Sequence, residues 1–298
     1  MKNYIYLYGQ VLATHSFLVE GEMPKPDGCG EILEEHFHVG GETGTATAIL
    51  SSLGCQVKIG GTHIGEKNAH LIREYFPKMG IDISELVYDE EFGGVIDYVF
   101  ITGKDRTCFG EWGKLYRRLK PWYESISEQS VKECSCVGFD PFLDSTDMSL
   151  IEYCMKYEKH YATIDCEMDS NYNRYCEINA LSQQYLKSVY GDHADFRELH
   201  RRYCEYTEGL VIITCGENEI LYGRKGEEIK TFQPYKVPVV STLGAGDSFK
   251  AGTVYGLAHG YSNDEIVQYA SAVAGVAVGK YPICDNAPTV DEVRKLMG

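Results

Sequence analysis

The run Ser241-Thr242-Leu243-Gly244-Ala245-Gly246-Asp247-Ser248-Phe249 constrains this chain more than any other segment. Two glycines flank an alanine just before an acid, and a helix-compatible stretch follows to His259. Upstream, Val237, Val239 and Val240 give β-branched character to a strand predicted over Val237–Val240. Strand, small-residue turn and helix start together aim several backbone N–H groups at one point, where the helix dipole favours an anion such as phosphate. An acid at that point is electrostatically costly unless it has a task. The natural task for Asp247 is to take a proton from a hydroxyl attacking phosphorus. In isolation the same letters also describe a tight turn with Asp247 as a helix cap.

With 28 basic and 44 acidic residues in 298, the net charge is −16. Such a surface argues against nucleic acid and anionic membranes as partners, while leaving room for a local anion pocket built from backbone groups. No apolar run approaches the ~18 residues of a membrane span, and Met1–Gly9 reads as a strand rather than a signal peptide. Eleven cysteines without regular spacing fit reduced thiols, and so a cytoplasmic protein. No Cys/His group has zinc spacing, the metal ligands are left open, and the Glu34–His38 run reads as ordinary surface.

Strands are predicted at Tyr4–Tyr8, Gln56–Gly60, Val95–Ile101, Cys134–Phe139, His160–Asp165, Cys176–Asn179, Leu210–Cys215, Ile220–Tyr222 and Glu228–Phe232, besides Val237–Val240. Helices are predicted at Thr43–Leu53, Glu66–Met79, Ser145–Tyr157, Ala180–Val189, Ala194–Tyr206, Ala245–His259, Asp264–Gly279 and Val290–Met297. This alternation implies one α/β domain over residues 1–298, with a mostly parallel central sheet and helices on both faces. Two stretches break the rhythm, roughly 10–38 and 92–112. The second reads as a hairpin turning at Thr102–Asp105, and together they suggest a small β lid.

A second glycine-rich element, His38-Val39-Gly40-Gly41-Glu42-Thr43-Gly44-Thr45, leads into the helix ending near Leu53. Paired glycines there allow close backbone approach to a ligand, or simply form a turn with a capping threonine. This Gly-Gly helix, then Thr214-Cys215-Gly216, then Thr242-x-Gly-Ala-Gly-Asp247, in that order, resemble the ribokinase-like (PfkB) family of sugar and nucleoside kinases. Ile59–Gly65 resembles the family's G-x-D-x-x-G stretch, and Lys104–Thr107 its lid.

The resemblance implies a ribokinase-like fold and transfer of the γ-phosphoryl group of ATP, with Mg2+, to a hydroxymethyl group of a small sugar or derivative. Asp247 is then the catalytic base, and Gly244, Ala245 and Gly246 form the anion hole. Thr214, Gly216, Asn179 (as the Asn of an N-x-x-E motif), Ala272 and Gly275 fall at the nucleotide. Gly40, Gly41, Glu42, Thr45, Thr14 and Asp140 fall at the acceptor.

The chain departs from the family at Thr14 and Thr45, where an Asp and an Asn are usual, at Ser182 for the acid of N-x-x-E, and at Ser241 for the opening Asp of the last motif. These departures keep open a ligand-binding or regulatory relative without catalysis. An esterase using Ser248 in Gly246-Asp247-Ser248 is a weaker alternative, lacking an Asp-x-x-His to supply the base. Gly60–Lys67 fails as a P-loop because Glu66 stands in the lysine position, and Phe249 breaks a dinucleotide fingerprint. Glu42 and Asp140 together predict a neutral or amine-bearing acceptor rather than a sugar acid or sugar phosphate. The hairpin has apolar residues on both faces, Val95, Val99 and Ile101 against Ile96, Tyr98 and Phe100, which predicts a homodimer through the lid.

Overall fold

The computed structural model describes residues 4–103, 105–113, 121–141 and 147–298, and contains two sheets. The larger has eight strands in the order β12-β11-β10-β9-β8-β7-β1-β4. These are β1 (Ile5–Gly9), β4 (Val57–Gly61), β7 (Val137–Phe139), β8 (Tyr161–Ile164), β9 (Ile178–Ser182), β10 (Leu210–Thr214), β11 (Ile220–Gly223) and β12 (Lys230–Phe232). Six run parallel, from β4 through β10, and the β10-β11-β12 edge is antiparallel. The parallel strands are apolar on both sides, with Leu7, Ile59, Val137, Ala162, Ile178 and Ile212 fully buried, because helices cover both faces.

Those helices are α1 (Glu42–Ser52), α2 (Ala69–Lys78), α3 (Glu128–Glu133), α4 (Ser149–Tyr157), α5 (Asn171–Tyr175), α6 (Gln183–Tyr190), α7 (Phe196–Tyr206), α8 (Ala245–Ala258), α9 (Asn263–Val278) and α10 (Val290–Met297). Ser262 with Glu265, and Thr289 with Glu292, form reciprocal capping boxes that set the starts of α9 and α10. Helices α8 and α9 cross closely: a Cβ on Gly252 would lie 2.4 Å from the Ala270 Cα. Gly252 on α8 and Ala270 on α9 make this approach possible.

The smaller sheet has the order β3-β2-β5-β6, from β2 (Leu12–Val19), β3 (Ile32–Gly40), β5 (Ile96–Thr102) and β6 (Asp105–Gly110). Register fixes its two faces. Thr14 lies opposite His38 and Asp97, and Val99 opposite Cys108, on the side toward the main sheet's strand ends. His15 lies opposite Phe37 and Tyr98, Phe17 beside Phe100, and Tyr98 opposite Phe109, on the other side.

Three segments differ from expectation. Val237–Val240 joins no sheet among the described residues, because Pro234 and Pro238 have no N–H to give a ladder. The Val240 and Ser241 N–H groups there both donate to the Val278 carbonyl, at 2.8 and 3.1 Å. The strand expected at Cys176–Asn179 is Ile178–Ser182, and the following helix starts at Gln183 because the Ser182 hydroxyl accepts from the Tyr185 N–H. The helix expected from Ser145 begins at Ser149, residues 145 and 146 lying outside the described set, as does Lys104 in the hairpin turn. All eleven cysteines are free thiols, and no described helix is long and apolar enough to cross a membrane.

Candidate active site

The six parallel strands end along one edge, and the residues there are Gly61, Gly9, Phe139, Ile164, Ser182 and Thr214, followed directly by Thr62, Gln10, Asp140, Asp165, Gln183 and Cys215. Open parallel sheets bind ligands at this edge. Over it lies a cavity of about 390 Å³, within the ~300–1,000 Å³ usual for small ligands. Its lining includes Gln10, Thr14, His38, Gly41, Glu42, Thr45, Asp97, Cys108, Trp112, Gly244 and Asp247. The two glycine-rich turns therefore share one site. A Cβ on Gly244 would sit 3.3 Å from Thr45 Cγ2, so the turns are in contact.

Gly244 precedes α8 at φ 74°, a left-handed conformation that a side chain would strain. That turn brings the first N–H groups of α8 to the cavity. Ala245 donates to the Thr242 carbonyl at 3.3 Å, whereas the N–H groups of Gly246 and Asp247 have no acceptor among the described residues. The Asp247 carboxylate likewise has no hydrogen-bond or ion-pair partner among them. Burial first and the negative charge of Glu42 second raise it, against the opposing charge of Arg106, to about 7. Arg106, on β6, donates from one guanidinium nitrogen to the Thr242 carbonyl and hydroxyl, both at 3.1 Å, which ties the small sheet to this turn. An anion with its phosphorus near a hydroxyl fits here: two uncommitted amides, an arginine and an unpaired carboxylate.

Asp140 differs from expectation. It is fully buried beneath the cavity, where its carboxylate pairs with the equally buried Lys250 ammonium. The same carboxylate accepts from Thr43 Oγ1 at 2.5 Å and from the Gln10 N–H at 3.1 Å. It has no face left for an acceptor. Gly40 is buried behind Thr14, whose Oγ1 occupies the space a Cβ would need.

The expected nucleotide residues divide similarly. Thr214 and Gly216 follow β10 at the ligand edge, with Gln183 beside Gly216. Asn179 lies in mid-strand, fully buried, donating to Asn173 Oδ1 at 2.9 Å; the strand runs three residues further than expected, so its ligand end is Ser182. Asn179 therefore does not reach the edge. Ala272 is fully buried in the main core, and Gly275 packs against Leu296, Tyr235 and Val237.

Lining residues that sequence reading did not assign to the site include Asp97, His38, Trp112 and Cys108. Asp97 accepts from Trp112 Nε1 at 2.7 Å, and burial, with Glu42 adding to it, raises its carboxyl to about 7. His38 is buried; its Nδ1 donates to the Val39 carbonyl at 2.8 Å and its Nε2 meets Ser16 Oγ at 3.0 Å. Burial lowers its proton affinity, so it is neutral at pH 7. Asp165 was also missed. It follows β8 at φ 43°, a strained position for a non-glycine residue, and accepts from the Ser182 N–H at 2.7 Å and its hydroxyl at 3.1 Å. Burial raises it to about 6.

Ser248 is fully buried and donates to the Gly244 carbonyl at 2.6 Å, so it is no esterase nucleophile. No group of three metal-ligating side chains occurs among the described residues. Mg2+ needs only one or two carboxylates when phosphates supply the rest, so this donor set fits magnesium arriving with a nucleotide.

The description pfkB family carbohydrate kinase matches residues 2–290, and the chain belongs to that family. Among curated relatives, the 5-dehydro-2-deoxygluconokinase of Listeria monocytogenes serotype 4a is 25% identical over 286 residues, covering 87% of this chain and 86% of that one. Its Geobacillus kaustophilus counterpart is 22% identical over 291 residues, covering 87% of this chain and 84% of that one. Among solved structures, Arabidopsis thaliana ribokinase complexed with ribose and ATP superposes with TM-score 0.82 at 16% identity, covering 100% of this chain and 99% of that one. Methanocaldococcus jannaschii nucleoside kinase superposes with TM-score 0.74 at 18% identity, covering 99% and 98%. The fold is ribokinase-like, and the chain is a carbohydrate kinase by family.

Proposed function

We propose that this chain transfers the γ-phosphoryl group of ATP to a hydroxymethyl group of a small sugar-like acceptor held in the cavity between α1, α8 and the small sheet. One observation carries the reading: among the described residues Asp247 has no partner, and it stands at the start of α8 beside two N–H groups without an acceptor, in a cavity lined also by the Gly-Gly helix. In this reading Asp247 accepts the proton of the attacking hydroxyl. The Gly246 and Asp247 amides and Arg106 stabilise charge developing on the transferred oxygens. Magnesium, when bound with the nucleotide, neutralises phosphate charge. Thr214, Gly216 and Gln183 are the nucleotide-side candidates, and Gly41, Glu42, Thr45 and Thr14 the acceptor-side ones.

The small sheet is the lid of this site, and its outer face supports a homodimer: Phe37, Tyr98 and Phe109 are 46, 41 and 53% exposed on one aromatic surface with His15, Phe17 and Phe100. Free thiols throughout support a reducing, cytoplasmic setting. The test is ADP formation by the purified chain with Mg-ATP across a sugar and nucleoside panel, with the product identified by mass. Sugar-dependent ADP release with a phosphorylated sugar is expected. Ligand binding without turnover on any acceptor favours the non-catalytic reading instead.

A further inference from the structure

We propose that the acceptor end of the cavity selects a sugar carrying a protonated amine, received by Glu42 from α1 and Asp97 from the small sheet. This rests on the reading of the cavity as a sugar kinase's acceptor site, and it names the acceptor's chemistry. Three carboxylates line the cavity, those of Glu42, Asp97 and Asp247, and they lie close enough for Glu42 to raise both of the others.

The nearby cations among the described residues are committed elsewhere. Arg106 is bound to Thr242 on the phosphate-receiving turn, Lys250 is paired with Asp140 below the floor, and His38 is neutral and bound to Ser16 and Val39. Asp247 belongs to the attacking hydroxyl, which leaves Glu42 and Asp97 for the rest of the acceptor. Among the described residues, Asp97 takes one hydrogen bond, from Trp112 Nε1, and Glu42 takes none.

Register decides why Asp97 faces inward. It pairs with Thr14, which also lines the cavity, while its neighbours Ile96 and Tyr98 fall on the opposite face. Asp97 is thus the acid that the small sheet brings to this side of the cavity. Two carboxylates held near each other in a half-buried space repel. An ammonium between them removes that repulsion and satisfies both, whereas a neutral hydroxyl satisfies one lone pair and leaves the repulsion. A carboxylate on the acceptor adds to it. The curated relatives carry a sugar acid in their names, and this lining is unsuited to one.

The experiment uses the full chain with Mg-ATP and hexoses in matched sets, each neutral aldose or ketose beside its amino-deoxy and carboxylate counterparts. The amino member should exceed its neutral partner in kcat/KM by at least ~10-fold, about 1.4 kcal/mol of discrimination, with the carboxylate member lowest. Asp97→Asn and Glu42→Gln should each cut kcat/KM for the amino sugar by roughly 10-fold or more, and by clearly more than for its neutral partner. Two variants are used so that a folding defect in one, read by thermal melting, leaves the other decisive. Preference for the carboxylate member, or equal loss on amino and neutral sugars in both variants, overturns the inference. Turnover of neutral sugars without amino preference overturns it too while leaving the kinase reading intact. Phosphorylation of none overturns both.

Discussion

Asp247 is held neutral more readily than a free carboxyl, with burial as the main cause and Glu42 as the second. A general base works only when ionised, so kcat/KM should fall with unit slope as pH drops below about 7 and level off above it. A pH–rate profile measured from about pH 5 to about pH 9 checks this; a flat profile contradicts it. The same shift has a stability consequence. The folded state binds this proton more tightly than the unfolded state, so the contribution is fully present below the ordinary Asp value of 3.8 and is lost as pH rises through about 7. Asp247→Asn removes that loss. Its melting temperature should exceed that of the parent at pH 8 by at least ~2 °C, with the gap shrinking at pH 5. Differential scanning calorimetry at both pH values reads it.

Beneath the site, four elements meet at one buried ion pair. Lys250 lies one turn beyond Asp247 on α8, Asp140 follows β7, Thr43 belongs to α1, and Gln10 follows β1. The pair connects the helix that carries the base to the helix that carries Glu42 and Thr45. Lys250→Met leaves a buried carboxylate without its cation and should cost ~3–5 kcal/mol. Lys250→Met with Asp140→Asn should recover more than half of that, since no uncompensated charge remains; denaturant titration of the three proteins checks it. Additive losses would show that the two groups act independently. This pair also marks where sequence reading stops. Gly244 to Asp247 is legible because turn, helix start and acid are contiguous. Asp140 looked like a ligand because its partner lies 110 positions away. Asn179 was misplaced because β9 ends three residues later than its apolar pattern suggested. Asp97 and His38 were not legible at all, since strand pairing alone decides which face of the small sheet they join.

At the scale of the whole molecule, the alternation of strands and helices was legible, and so was the hairpin of residues 94–109 with its two apolar faces. The outer face leaves Phe37 and Phe109 roughly half exposed, at 46 and 53%, beside an aromatic cluster. Phe37→Glu with Phe109→Glu should convert a dimer to a monomer of unchanged circular dichroism, read by sedimentation at micromolar concentration; a parent that is already monomeric removes the dimer. All three scales meet at the sheet edge, which assembles a cavity in which one carboxylate drives phosphoryl transfer to a sugar. The most direct test is the initial rate of sugar phosphorylation from Mg-ATP by the parent and by Asp247→Asn, with ATP affinity measured separately. The account predicts turnover lowered by ~10²–10⁴ with ATP affinity unchanged. Near-parental turnover in Asp247→Asn would contradict it.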